Sequence, residues 1–310
     1  MIERQPIEQQ QQVAQQQWER QADFKEYMSA VNPPMPKIGV ERFPNSLYAE
    51  GATRVIPFDL SAQLQTHYAC TTPNLMANFI RICEGTSLRT DEKATSQMFY
   101  VIQGKGRTQM QHGTIEWKQG DLFTLPAVPD ALHSATEDAA LYWVSDAPLL
   151  NYLGVTPNHQ RFTPVLYTKE RLEQELADVR AQGEGRNRTG ILLSNPHFPL
   201  TMTLTHTLWS LYNVLPKGIV QKPHRHNSIA IDYCVSAGEN TYTMIGKELN
   251  DQGQIIDPIK AQWVAGCVFI TPPGWWHSHH NESNEDAVVL PIQDAGLIMN
   301  MQILDFHHVK

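Results

Sequence analysis

Two histidines one residue apart, His224 and His226, in the run GIVQKPHRHNSIAIDYCVSAG, constrain this chain more than any other feature. On an extended strand the side chains at i and i+2 project from one face, so both imidazoles reach a common point. Further along, Gly266 opens a short apolar strand, Cys267–Thr271, that runs through Pro272, Pro273 and Gly274 into Trp275, Trp276 and His277. That third imidazole closes the set. Histidines at ligand spacing, framed by glycine and proline turns, point to a divalent metal held by His224, His226 and His277; the alternative is three histidines used only for hydrogen bonding. Imidazole donors alone do not choose among iron, manganese, nickel, zinc and copper. His279 follows His277 by two residues and shares its face, which makes it a candidate acid/base beside the metal; the alternative is an exposed histidine at a strand end. His280 points the other way. Trp209 lies on the strand that enters this region.

The composition excludes several function classes. The chain has 310 residues, 41% of them hydrophobic, a formal net charge of −8 and no run of Lys or Arg. An acidic chain without a basic patch predicts neither nucleic acid nor an anionic membrane as partner, and leaves a small molecule. There is no apolar run of the roughly 20 residues that a spanning helix needs, and MIERQPIEQQQQ lacks the apolar core of a signal peptide, so a cytoplasmic location is expected. Cys70, Cys83, Cys234 and Cys267 show no C-x-x-C spacing and read as buried free thiols.

Along the chain, residues 1–50 read as an N-terminal arm. Its Gln-rich part, 6–28, predicts a polar helix with Trp18, Phe24 and Tyr27 as anchors, broken by the prolines of NPPMPK. Residues 51–156 carry short strand-like runs separated by glycine turns, a β-barrel or sandwich. Within 157–190 a helix is expected over 169–182, with Leu172, Leu176 and Val179 at helical spacing, Thr168 as N-cap and Gly183 as its stop. Strands return over 191–310, and QDAGLIMNMQILDF closes the second barrel. QMFYVIQGKG with GDLFTLP, and IAIDYCVSAG with GCVFITPPG, read as an internal duplication. In the first copy the slot of the histidine pair reads Glu92–Lys93–Ala94, and Ala131 takes the slot of His277 with His133 two residues beyond. That barrel is expected to be metal-free and structural.

The spacing of Gly218, His224 and His226, followed by Gly266, Pro272, Gly274, His277 and Asn281, resembles the paired motifs of the cupin superfamily. It implies an all-β chain of two jelly-roll barrels with an N-terminal helical arm and an inter-barrel helix. More narrowly, TLWSLYNVLPKGIVQKPHRHNSIA and WWHSHHNESNEDAVV resemble the metal-bearing half of the gentisate 1,2-dioxygenase family. YVIQGKGRT, IEWKQGDLFTLP and EDAALYWVSDAPLLNYLG resemble the family's other half, so the two halves stand here in exchanged order. The resemblance implies Fe(II) held by His224, His226 and His277, with His279, Trp209 and Arg188 at positions around the substrate; the Arg188 match rests on RTGILLSNP. Asn213 stands where the family has Gln. Asp232 stands where the family places an arginine that can pair with a substrate carboxylate, and it is also a candidate fourth ligand or base.

The resemblance implies a mononuclear non-haem Fe(II) dioxygenase, a ring-cleaving oxidoreductase taking O2 and a phenolic or otherwise chelating small molecule. A homo-oligomer, dimer or tetramer, is expected because the first barrel has surface and no ligands. Two alternatives stand beside it: a metal-dependent isomerase, lyase or hydrolase that uses no O2, and a non-catalytic metal-binding bicupin.

Overall fold

The computed structural model describes residues 7–111, 113–181 and 189–309. Residues up to Lys37 form one compact unit and Ile38–Lys310 another. In the first unit a helix spans Ile7–Gln21 and a single turn spans Tyr27–Ala30. Glu26 caps that turn by accepting from the Met28 and Ser29 amides, which holds its carboxyl below the ordinary range. Trp18, Phe24, Tyr27 and Met28 are exposed. In the sequence the arm extends to residue 50, but Arg42–Phe43 already pairs with Val268–Phe269 in the second barrel.

The larger unit is two β-barrels, each a six-stranded sheet facing a smaller one. The first barrel pairs the sheet containing Met76–Ile82, Gln97–Gln103 and Ala139–Ser145 with a four-stranded sheet of Ser87–Thr90, Lys105–Met110, Gly113–Lys118 and Ala131–Ala135. The second pairs the sheet containing Trp209–Leu215, Ala230–Ser236, Val268–Thr271 and Ala287–Gln293 with a five-stranded sheet. That smaller sheet holds Thr241–Gly246, Ile259–Gln262, Trp276–Asn281, His224–His226 and, at its edge, Phe306–His308. The tail therefore does more than close the barrel: after a short helix, Ala295–Asn300, it returns to pair with the histidine strand.

The large sheets are buried on both faces, which is why their strands read as continuous apolar runs. In Ala139–Ser145, Ala140, Tyr142 and Val144 enter a core shared by the two barrels, whereas Ala139, Leu141 and Trp143 fill the first barrel. Ile231 and Tyr233 enter the same shared core, and Tyr142 stacks on Tyr233 with centroids 5.2 Å apart. By the period of two, Asp232 and Cys234 face the interior of the second barrel. Gly120 (φ 91°) and Gly266 (φ 83°) turn the chain at equivalent places; a Cβ at Gly266 would lie 2.2 Å from the Tyr48 hydroxyl oxygen.

The inter-barrel helix spans Lys169–Ala181, burying Leu172 and Leu176, and Thr168 Oγ1 accepts from the Arg171 amide. Gly183 lies outside the described residues. All four cysteines are free; Cys70, Cys234 and Cys267 are buried, but Cys83 is only half-buried because it follows the end of its strand.

Candidate metal centre

Two adjacent strands of the small sheet bring the histidines together. His224 stands directly opposite His277, with ring centroids 3.9 Å apart. His226 lies 4.9 Å from His277, and His279 lies 5.6 Å from His224 and 5.7 Å from His277 by the same measure. All four are buried. Among the described residues, His224, His277 and His279 place ligand atoms within 4.8 Å of one another. His226, expected from the sequence as the third ligand, is not in this group, whose third member is His279; it lies beside it, with its ring centroid 4.9 Å from that of His277.

Hydrogen bonds fix how two of the rings are used. His226 Nδ1 lies 2.9 Å from the Ser228 carbonyl oxygen, and His277 Nδ1 lies 3.0 Å from that of Trp275. A carbonyl only accepts, so both rings carry hydrogen on Nδ1 and keep a lone pair on Nε2. That is how a metal-ligating histidine is usually held. Two bonds of about 2.1 Å to one ion span at most about 4.2 Å, so small rotations suffice to bring the ligand atoms of His224, His277 and His279, within 4.8 Å of one another, onto a metal. Buried neutral imidazoles with oriented lone pairs fit a divalent metal.

His279 is buried, not an exposed strand end. Its Nδ1 lies 2.8 Å from Thr243 Oγ1, which also accepts from Trp263 Nε1 at 2.8 Å. The first barrel repeats this arrangement: His133 Nδ1 lies 2.9 Å from Thr108 Oγ1, which accepts from Trp117 Nε1 at 2.9 Å. There, however, His133 Nε2 meets Thr90 Oγ1 at 2.9 Å, and burial pushes the ring down to about 3. It is a satisfied, neutral core histidine.

The ladders correct the alignment of the two barrels. Thr90 faces Ala131 as His224 faces His277, so Thr90 and Glu92 occupy the slots of the histidine pair, not Glu92 and Ala94. Glu92 bonds Ser145 Oγ, and burial raises its carboxyl to about 7.

The same frame explains how the second barrel comes to hold a cavity at the place where aromatic rings fill the first. Phe99 faces Phe123 as Asp232 faces Phe269, and Trp143 faces Phe99 as Pro291 faces Asp232. In the first barrel the stacked rings of Phe99, Phe123 and Trp143 fill the interior. In the second, an aspartate and a proline replace two of them, and a cavity of ≈ 250 Å³ opens onto the histidines. Trp209, Asn213 and Asp232 line it together with His224, His226, His277 and His279. Asp232 is buried, accepts from Thr271 Oγ1 at 2.7 Å, and is raised by that burial to about 7. Its carboxylate is not within the group of ligand atoms that cluster. Arg188 lies outside the described residues.

Sequence reasoning missed Phe306, Gln221 and Gln293, which also line the cavity. Phe306 pairs with His226 across the tail strand, and nothing local in DFHHVK announces it. Trp263 was findable, since W-x-x-G-x-x-F occurs in both barrels, at Trp117 and at Trp263; Thr243 lies outside that motif.

No family model matches the chain. A gentisate 1,2-dioxygenase from Streptomyces is 28% identical over 177 residues, 56% of this chain and 45% of that relative. A 5-aminosalicylate 1,2-dioxygenase from Comamonas is 26% identical over 39% of this chain and 30% of its own length. The matches thus span less than half of these relatives. The salicylate 1,2-dioxygenase of Pseudaminobacter salicylatoxidans superposes with a TM-score of 0.70 at 13% identity, covering 99% of each chain. An oxalate decarboxylase of Bacillus subtilis superposes at 0.56 over 82% of this chain and 76% of its own. The superpositions give the chain a two-barrel, bicupin-like fold, and its sequence resembles that of the gentisate 1,2-dioxygenases.

Proposed function

We propose that the second barrel binds one divalent metal, iron(II), through His224, His226 and His277, and that the chain is a dioxygenase acting on a phenolic ring. The observation that carries this reading is the set of buried imidazoles around a cavity, at the place where Phe99, Phe123 and Trp143 fill the first barrel. His224, His226 and His277 would hold the iron, which would supply the redox chemistry between a phenolic substrate and O2. The rest is the work of the chain. Trp209 and Asn213 bound the space in which a ring lies. His279, backed by Thr243 and Trp263, holds or takes a proton of a substrate hydroxyl.

Asp232 sets the choice of substrate. A buried carboxylate whose hydroxyl partner is Thr271 favours a hydrogen-bond donor on the ring and repels a carboxylate. Arg188 belongs to this reading as a further substrate contact. So does assembly as a homo-oligomer, supported by the exposed apolar residues of the arm, and a reducing, cytoplasmic compartment, which the four unpaired thiols suit.

The test is anaerobic loading with iron(II) followed by oxygen-electrode assays of catechol, hydroquinone, 5-aminosalicylate and gentisate. Uptake of one O2 per ring consumed is expected. A loaded chain that transforms none of the phenols and takes up no O2 contradicts the reading. It would shift weight to oxygen-independent chemistry, for which a buried Asp232 near neutrality suits a general base.

A further inference from the structure

His226 is held by a peptide group whose other end is clamped from across the molecule. The Ser228 carbonyl that takes the His226 Nδ1 hydrogen belongs to the same planar peptide as the Ile229 amide. That amide donates to Asp294 Oδ1 at 3.0 Å. On the other oxygen of Asp294 sits Asn74 Nδ2, at 2.8 Å, from the segment leading into Met76–Ile82 of the first barrel. Ser228 Oγ, 3.0 Å from His226 Nδ1, is in turn held by Gln293 Oε1 at 2.8 Å, next to Asp294 in the chain.

The mirror half shows which part of the device is specific. Asp146, at the place equivalent to Asp294, accepts from the Thr95 and Ser96 amides at 2.8 and 3.0 Å. It is reached from the other barrel by Thr207 Oγ1 at 3.1 Å, as Asn74 reaches Asp294. A carboxylate clamping the peptide, with a donor crossing from the opposite barrel, is therefore part of the duplicated frame. In the second half the carbonyl of the clamped peptide meets an imidazole, that of His226; in the first, among the described residues, His206 meets the Thr95 and Ser96 hydroxyls and not that carbonyl.

We infer that Asp294, and Asn74 of the metal-free barrel behind it, are positioning residues for His226, so that the first barrel helps set the metal affinity of the second. This rests on the metal reading above. The peptide is rigid, so tilting it at the amide moves the carbonyl that orients the ring. A carboxylate bonded to the amide also polarises the peptide and strengthens the carbonyl as an acceptor.

The experiment is titration of the chelator-treated full chain with cobalt(II), followed by its visible absorption, for the unmodified protein, Asp294→Asn, Asn74→Ala and the mirror variants Asp146→Asn and Thr207→Val. Loss of a hydrogen bond made directly to a ligating histidine usually costs about 10- to 100-fold, and Asp294 acts one bond further out, so Asp294→Asn is expected to weaken cobalt binding by about tenfold, with Asn74→Ala changing it in the same direction by less. The mirror variants should bind as the unmodified chain does. Should Asp294→Asn fail to fold, Asn74→Ala against Thr207→Val carries the comparison. Equal affinity in Asn74→Ala and the unmodified chain, or equal losses in the mirror variants, overturns the inference and leaves the metal site standing. An unmodified chain that takes up no cobalt overturns both.

Discussion

Thr243 Oγ1 lies 2.8 Å from His279 Nδ1, and Thr108 makes the same contact, at 2.9 Å, with His133 in the first barrel. One duplicated unit of tryptophan, threonine and histidine thus serves two ends. In the first barrel the ring meets a second threonine and is spent on packing. In the second it faces the cavity.

This pair separates stability from activity. Thr108→Val and Thr243→Val each leave a buried ring nitrogen and a buried indole N–H without their hydroxyl, at a cost of about 1–3 kcal/mol apiece. Urea unfolding should show similar losses for both. Only Thr243→Val should lower turnover, because only its histidine faces substrate; equal activity loss in both would contradict that role for His279.

Asp232 should govern the choice of ring substituent. Asp232→Asn removes the negative charge and Asp232→Arg reverses it, so relative kcat/KM should move from catechol or hydroquinone, which lack a carboxylate, toward gentisate and 5-aminosalicylate, which carry one, most in the arginine variant. A bidentate Arg–carboxylate pair is a strong interaction, and breaking a buried pair typically costs about 3–5 kcal/mol, so changes of at least tenfold are expected. Efficient gentisate turnover by the unmodified chain, unchanged in both variants, contradicts this. Loss of metal from Asp232→Asn would instead make Asp232 a ligand.

Stability of the chelator-treated chain should fall as pH rises through neutrality. Burial raises both Asp232 and Glu92 to about 7, so their protonated forms are favoured on folding. Their contribution is complete below the ordinary carboxylate range and is lost as pH climbs through about 7. His133, pushed down to about 3 by burial, acts in the opposite sense but only up to the ordinary imidazole value. Asp294 is raised by burial as well, and His206 and His280 are lowered by burial as His133 is, so the net decline is expected above the ordinary imidazole value, where the histidines no longer contribute and Asp232 and Glu92 still titrate. At about 1.4 kcal/mol per pKa unit, Asp232 alone accounts for a few kcal/mol at most. Asp232→Asn should flatten the curve measured by urea midpoints between about pH 5 and pH 8; parallel curves would show that Asp232 is not the group titrating.

How much of this was legible in the sequence depended on range. His224 and His226 could be placed on one face because strand periodicity is local, and Leu172 and Leu176 because helical periodicity is. The slot opposite Ala131 was misread by two residues, since a slip of two leaves every side chain on its original face and no hydrophobic pattern resists it. The register of Thr90 with Ala131 settles it. Phe306 and the Asn74–Asp294 bond were invisible for a different reason. Each joins segments far apart in the chain through a contact whose partners carry no pattern of their own. Phe99 and Asp232 were both visible as residues, but only the shared ladder shows that one fills the space the other leaves open.

Metal analysis of the anaerobically reconstituted chain, unmodified and as His224→Ala with His226→Ala, tests most directly that the second barrel alone is a metal centre. One iron per chain is expected, absent from the double variant, unaffected by His133→Gln, and released on acidification because each ligating imidazole must be unprotonated. Two metals per chain, or one that survives loss of His224 and His226, would contradict it.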